Sequence, residues 1–203
     1  MDFIDLAAFT IHDVKNRLAH LAHRADEKGD RETLHGTLEA AATLTRLLAF
    51  YKAEKGSLGV EIEARTPADL VEELAIEISK QSTLTISTDL SQAPTLWFYD
   101  ESLIRMVLLD ALYNALRHAR QEVRLAASLC DGWLEFSVHD DGPGYPPALL
   151  AQPIAMQPLS REGTGLGLHL ASQIAALHSN AGLHGRLVLN NERGALFRLL
   201  LPA

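Results

Sequence analysis

The sequence predicts an α+β protein. A helical hairpin occupies residues 1–56, and an α/β sandwich with a mixed, mostly antiparallel sheet and helices on one face occupies residues 57–203. Two observations carry this. Apolar residues recur at helical spacing on both sides of a turn at Gly29, and beyond Gly56 short strand-like runs alternate with three longer runs of helical period.

In the hairpin, Phe3, Leu6, Ala7, Phe9, Ile11, Val14, Leu18, Leu21 and Ala25 form apolar stripes on a helix over residues 3–26. Asp26-Glu27-Lys28-Gly29-Asp30 reads as a turn. Leu34, Leu38, Ala41, Leu44, Leu47, Leu48 and Tyr51 form a second stripe up to the break at Gly56. Two such helices cannot bury their apolar faces alone, so two hairpins are expected to pair in a four-helix bundle, making a homodimer.

In the sandwich, strands are predicted near Val60–Ala64, Leu84–Thr88, Thr95–Tyr99, Val123–Leu129, Leu134–His139, Arg186–Asn190 and Ala195–Leu201. Helices are predicted over Pro67–Gln81, Leu103–Ala119 and Leu166–His178.

Three segments of the sandwich carry chemistry. The glycines of Gly163-Thr164-Gly165-Leu166-Gly167-Leu168 let backbone N–H groups approach an anion, and the apolar run that follows reads as a helix whose N-terminus favours phosphate. Asp140 ends a strand-like run and opens Asp140-Asp141-Gly142-Pro143-Gly144; a fixed carboxylate there can accept a hydrogen bond from an exocyclic amine such as that of adenine. Asn114 shares a helical stripe with Leu103, Val107, Ala111 and His118, and its amide oxygen is a hard ligand suited to magnesium. Singly, a glycine turn, an Asp-Gly pair and a mid-helix Asn are ordinary structural features. Together, in this order and on these elements, they are the parts of a nucleotide site.

With those residues in view, residues 57–203 resemble the ATP-binding catalytic domain of sensor histidine kinases, within the wider gyrase, Hsp90, histidine kinase and MutL superfamily. Asn114 corresponds to the N box, Asp140, Gly142 and Gly144 to the G1 box, and Gly163, Thr164, Gly165, Leu166, Gly167 and Leu168 to the G2 box. Gly185 to Asn190 and Gly194 to Pro202 resemble the closing hairpin of that domain, and Asp100 sits where the family commonly has an acid. The resemblance implies ATP and Mg2+ as ligands. It also makes His118, near the nucleotide, and Arg117, at a basic position able to face phosphate, further binding candidates.

In the first helix, Ile11-His12-Asp13-Val14-Lys15-Asn16-Arg17-Leu18 resembles the H box. His12 and Asn16 share a helix face, and the adjacent Asp13 can accept the imidazole proton or orient the ring. The resemblance implies that His12 accepts the γ-phosphoryl group of ATP, that Asp13 acts as base, and that Asn16 positions water when a phosphorylated partner is dephosphorylated. The partner implied is a response-regulator receiver domain. His20 and His23 have helical spacing but no third ligand, and they read, with His35, as surface residues; His139, His169, His178 and His184 show no ligand spacing.

Three features depart from the family pattern. Arg17 stands where the family usually has Pro, so the kink after the His is missing or supplied otherwise. Asp110 stands where most histidine kinases carry a second Asn, and the resemblance to gyrase-like relatives, which have an acid at this spacing, implies a metal ligand through water or a hydrolytic base. The stretch from Tyr145 to Glu162, expected to cover the nucleotide as a lid, is proline-rich and lacks the usual Phe-containing box.

Composition fits this picture. The 203 residues are 47% hydrophobic, enough for a core, and the formal net charge of −8 with no basic cluster excludes nucleic acid and anionic membrane surfaces as expected partners. The one cysteine, Cys130, flanks an expected Asp-Gly turn and implies a reducing compartment and a structural thiol. No stretch is apolar enough to span a bilayer and no signal peptide is visible, so a cytoplasmic location is expected, with the chain either a kinase driven by a partner or the core of a longer receptor. The function expected is ATP-dependent histidine autophosphorylation and transfer to a receiver aspartate. The alternatives are a histidine phosphotransferase that has abandoned ATP, a non-enzymatic nucleotide-gated binding module and, more weakly, a serine kinase acting on an anti-anti-sigma partner.

Overall fold

The computed structural model describes residues 3–151 and 165–203. The chain divides after Leu58 into two compact units. The first is a helical hairpin, α1 (Phe3–Glu27) and α2 (Arg31–Glu54). The turn closes as its residues dictate: Gly29 adopts φ +67°, a conformation that costs a residue without a Cβ little, and Asp30 N–H donates to Ala25 O at 2.9 Å. Asp30 then caps α2, accepting from Thr33 N–H at 3.0 Å and from the Thr33 hydroxyl at 2.7 Å. The N–H of Thr33 also holds the Asp30 carboxyl below the usual carboxylate range.

Small residues pack where the helices meet, with Ala22, Ala25 and Ala49 buried. Leu21 and Leu38 remain 47% and 55% exposed, so the hairpin does not cover its own apolar stripe. Arg17, in the position where proline would bend the helix, leaves α1 continuous and pairs with the Asp13 carboxylate at 3.2 Å on an exposed face.

The second unit begins with a strand and a helix, β1 (Glu63–Arg65) and α3 (Pro67–Ser79). Next come β2 (Thr85–Gln92), β3 (Trp97–Tyr99) and α4 (Glu101–His118), then the adjacent strands β4 (Glu122–Cys130) and β5 (Trp133–Asp140). A short α5 (Pro147–Leu150) and the longer α6 (Gly165–Leu177) precede β6 (Ser179–Asn180), β7 (Leu183–His184), β8 (Arg186–Asn191) and β9 (Ala195–Pro202).

Five strands form the main sheet in the order β2-β4-β5-β9-β8. β2 runs parallel to β4 because the connection between them crosses over through α4; the other pairs are antiparallel. One face is apolar. Val123, Leu125, Leu134, Phe136, Val138, Phe197 and Leu199 alternate inward and pack under Leu70, Leu74 and Ile78 of α3, Ile104, Leu108 and Leu112 of α4, and Leu170 and Ile174 of α6. Each large side chain so buried contributes about 1.5–3 kcal/mol relative to exposure. The mixed sheet with helices on one face is the expected architecture.

Two of the seven expected strands lie outside that sheet. β1 and β3 pair with each other, Ala64 opposite Phe98, and the inner face of this ribbon buries Tyr99 edge-on against Phe136, with ring centroids 5.6 Å apart. A small β6–β7 hairpin, turned by Ala181 at φ +49° and Gly182 at φ +80°, is an addition to the expected elements. Asp131 and Gly132, at φ +50° and +81°, make the expected turn between β4 and β5. Cys130 beside it is exposed and unbridged, so it is not a packed structural thiol. Among the described residues no helix is long and apolar enough to cross a membrane.

Candidate nucleotide site

The site is assembled around the C-terminal half of α4. That helix is fixed at its start by Asp100, whose Oδ1 accepts from Leu103 N–H at 3.0 Å and from the Ser102 hydroxyl at 2.7 Å. Oδ2 of the same carboxylate accepts from Glu61 N–H at 2.9 Å. Burial opposes the charge on Asp100, but these donors outweigh it and hold the carboxyl below its usual range. Asp100 is therefore an N-cap that also ties down the entry to β1.

The backbone N–H of Asp100 donates to Nε2 of His178 at 3.0 Å, and the other ring nitrogen of His178 lies 2.8 Å from Ile174 O. This pairing requires the neutral tautomer with the proton on Nδ1. Burial lowers the pKa of His178, partly opposed by its bond to Ile174 and by the charge of Asp100. His178, which carries no motif in the sequence, thus joins the end of α6 to the start of α4. The two helices run antiparallel, and at the other end the Asp110 carboxylate occupies the space a Cβ on Gly167 would need. A larger residue there would displace the Asp110 side chain, because α4 and α6 meet at that point.

Asn114, one turn beyond Asp110 on α4, is half-buried, and its side chain makes no hydrogen bond with a described residue. Its free carboxamide oxygen and the Asp110 carboxylate are oxygen donors at i and i+4 on one face, a set that fits Mg2+. No cluster of three His, Cys, Asp or Glu exists among the described residues.

Asp140 ends β5 and is 4% exposed. Its Oδ1 accepts from Gly142 N–H at 2.8 Å and from Ala195 N–H at 3.3 Å, while Oδ2 makes no hydrogen bond with a described residue. A carboxylate with one oxygen locked to the backbone and the other uncommitted is set to accept from a ligand N–H. Gly142 closes this loop against α4, where a Cβ would lie 2.5 Å from His118 O. Asp141 turns the other way and accepts from Arg120 N–H at 2.7 Å and from Gln121 N–H at 3.0 Å, which depresses its pKa, with Gln121 the main cause.

α6 begins at Gly165, so its first turn carries Leu166, Gly167 and Leu168 and presents the N–H groups that favour an anion. Gly163, Thr164 and residues 152–162 of the expected lid lie outside the described residues. Arg117 and His118 are exposed at the end of α4. The structure therefore sets the first turn of α6 against Asp110, one turn from Asn114, and packs Gly142, in the loop after Asp140, against the end of α4. His12, Asp13 and Asn16 all lie on α1, in the other unit.

Residues 99–203 match the family described as histidine kinase-, DNA gyrase B- and HSP90-like ATPase. The chain belongs to this family. Among curated relatives of this ATPase family member, the sensor histidine kinase component HK1 of Mycobacterium tuberculosis is 32% identical over 110 residues, covering 51% of this chain and 62% of that protein. The signal transduction histidine-protein kinase AfsQ2 of Streptomyces coelicolor is 33% identical over 112 residues, covering 51% of this chain and 20% of its own length. The alginate biosynthesis sensor protein KinB of Pseudomonas aeruginosa matches at 27% over 93% of this chain and 31% of its own. The chain thus spans less than two thirds of each of these relatives.

Two solved structures share the fold. Full-length ShkA in complex with AMPPNP aligns with a TM-score of 0.71 and 24% identity over 98% of this chain and 45% of that one. The Acinetobacter baumannii histidine kinase AdeS aligns with a TM-score of 0.65 and 20% identity over 94% and 97%.

Proposed function

We propose that this chain is the catalytic core of an ATP-dependent protein histidine autokinase. The observation that carries the reading is that α4, which bears Asn114, meets the first turn of α6 at Asp110 and the loop after Asp140 at its end, in a member of this ATPase family whose first unit is a helical hairpin with His12 on its first helix. Asp140 accepts from the adenine amine, the α6 N-terminus with Gly163, Thr164, Gly165, Leu166, Gly167 and Leu168 cradles the phosphates, and Arg117 and His118 flank them. Asn114 and Asp110 would hold Mg2+, which would supply neutralisation of phosphate charge when bound.

A neutral ring nitrogen of His12 attacks the γ-phosphorus, an N–P bond forms, the bond to the bridging oxygen breaks, and ADP departs. Asp13 takes the ring proton. The phosphoryl group then passes to an aspartate of a response-regulator receiver domain in the cytoplasm, and Asn16 positions water for the separate hydrolysis that dephosphorylates that partner to free phosphate. Residues 1–56 serve as the dimerisation and phosphotransfer hairpin and residues 57–203 as the ATP-binding domain; the exposed Leu21 and Leu38 support pairing with a second copy.

A second reading, a nucleotide-gated binding module, is favoured by the ion pair that engages Asp13 with Arg17 instead of leaving it to His12 alone. Incubation with γ-labelled ATP and magnesium separates the two. Acid-labile, base-stable label that is absent from His12→Ala and Asn114→Ala supports the kinase. ATP binding that Asp140→Ala abolishes, with no label on the unmutated chain, supports the module.

A further inference from the structure

The turn between β8 and β9 touches the segment around Asp140 at four points, and none of the residues it contributes belongs to a nucleotide motif. Glu192 O lies 2.8 Å from Nε2 of His139, and Ala195 N–H reaches Asp140 Oδ1 at 3.3 Å. Gly194, at φ +151°, is packed so closely on the Asp140 carbonyl that no Cβ could be added. Asn191 makes the fourth contact, with both backbone groups of Tyr145: its Oδ1 accepts from Tyr145 N–H at 2.7 Å and its Nδ2 donates to Tyr145 O at 2.9 Å.

This last contact has the form of one rung of an antiparallel ladder, made by a side chain in place of a strand. An Asn carboxamide places an acceptor and a donor side by side, which a carboxylate or a hydroxyl of similar size does not. The backbone it grips has no ladder of its own, because β5 ends at Asp140. It also contains Gly144 at φ +83°, where a Cβ would lie 2.7 Å from the Asn191 side chain. A glycine segment outside any strand samples many conformations unless something holds it.

We propose that Asn191 is a positioning residue for base recognition: by holding the Gly144–Tyr145 backbone it fixes the chain leaving Asp140, so that the carboxylate meets the exocyclic amine of adenine in one geometry. The proposal rests on the adenine reading of Asp140 given above. Tyr145 adjoins the same arrangement: burial and then the charge of Asp140 raise its phenol pKa.

The test uses the full chain and two nucleotides, ATP and inosine triphosphate, which lacks the exocyclic amine. Affinities with magnesium are measured for the unmutated protein, Asn191→Ala and Asn191→Asp; the last keeps the size and the acceptor but loses the donor. The unmutated chain is expected to prefer ATP. Both variants are expected to lose about tenfold in ATP affinity, with inosine triphosphate within about twofold, so that the preference collapses while the thermal transition is kept. An unchanged preference in both variants, or an equal loss for the two nucleotides, overturns the positioning role. Absence of any preference in the unmutated chain overturns the adenine reading itself and this proposal with it, an outcome read before any variant is made.

Discussion

The two units of this chain solve the burial problem in opposite ways. The sandwich completes its own core, with side chains as large as Tyr99 and Phe136 fully buried, and even its polar residues at depth, Asp100, Asp140 and His178, have backbone partners. The hairpin buries alanines and leaves Leu21, Leu38 and Leu47 exposed, and its best-defined ion pair, Asp13 with Arg17, is solvated. A unit that places a base to within a hydrogen bond must be rigid by itself. A helix that offers a nucleophile needs only a surface, and its order is supplied by whatever covers the stripe. Stability thus resides in the sandwich, and the proposed dimer makes the hairpin the unit with a dependence on a partner.

The largest expected effect breaks that dependence. Replacing both Leu21 and Leu38 by Glu removes about 1.5–3 kcal/mol of burial per side chain at each of the four positions of a two-fold dimer and adds charge to the seam. Light scattering after gel filtration is expected to show a monomer, while ATP affinity stays within about twofold. A variant that remains dimeric would place the dimer contact elsewhere.

The next effect tests the self-sufficiency of the sandwich. Gly194→Ala forces a Cβ into the Asp140 carbonyl at a backbone conformation that side chains rarely adopt. Destabilisation of about 3 kcal/mol or more is expected in urea unfolding, together with weakened ATP binding, while hairpin association is retained. Equal stability of mutant and parent would mean that the β8–β9 turn yields easily and is no buttress.

A smaller effect comes from His178. Burial keeps its folded-state pKa below the ordinary 6.5, so the unfolded chain takes up a proton first as pH falls. The stability it contributes is present above that value and is lost as pH drops below it, because a protonated Nε2 can no longer accept from Asp100 N–H. A fall of about 1 kcal/mol is expected on acidification from pH 7.5 to 5.5, measured by denaturant melts, and a flatter profile for His178→Gln. Parallel profiles would remove His178 from the account.

Much of this was legible in the sequence where the signal is local. Gly29, the Asp131-Gly132 turn and the helical stripes carry their geometry within a few residues, as do Asp140 with Gly142 and the glycines that open α6. What was not legible depends on contacts between distant segments. Asn191 meets Tyr145 across 46 residues and His178 meets Asp100 across 78, and neither residue type is unusual where it stands. The separate β1–β3 ribbon escaped for the same reason, since strand-like runs reveal their faces but not their partners. Gly167 was read as a means of approaching phosphate; the structure adds a second cause, the Asp110 carboxylate that fills its missing Cβ.

The smallest expected effect probes a flaw in the sandwich core. Tyr99 is fully buried against Phe136, yet its hydroxyl has no hydrogen-bond partner among the described residues, and burial drives its pKa upward. A buried donor without a partner costs about 1–3 kcal/mol in lost hydration, while the ring itself contributes by packing. Tyr99→Phe keeps the ring and its edge-on contact and removes the liability, so it is expected to stabilise the sandwich by about 1 kcal/mol, seen as a rise in Tm with ATP affinity unchanged. Loss of stability would show that the hydroxyl has a partner in solution, and loss of ATP affinity without loss of stability would bring the β1–β3 ribbon into the function of α4, whose N-cap follows Tyr99 directly.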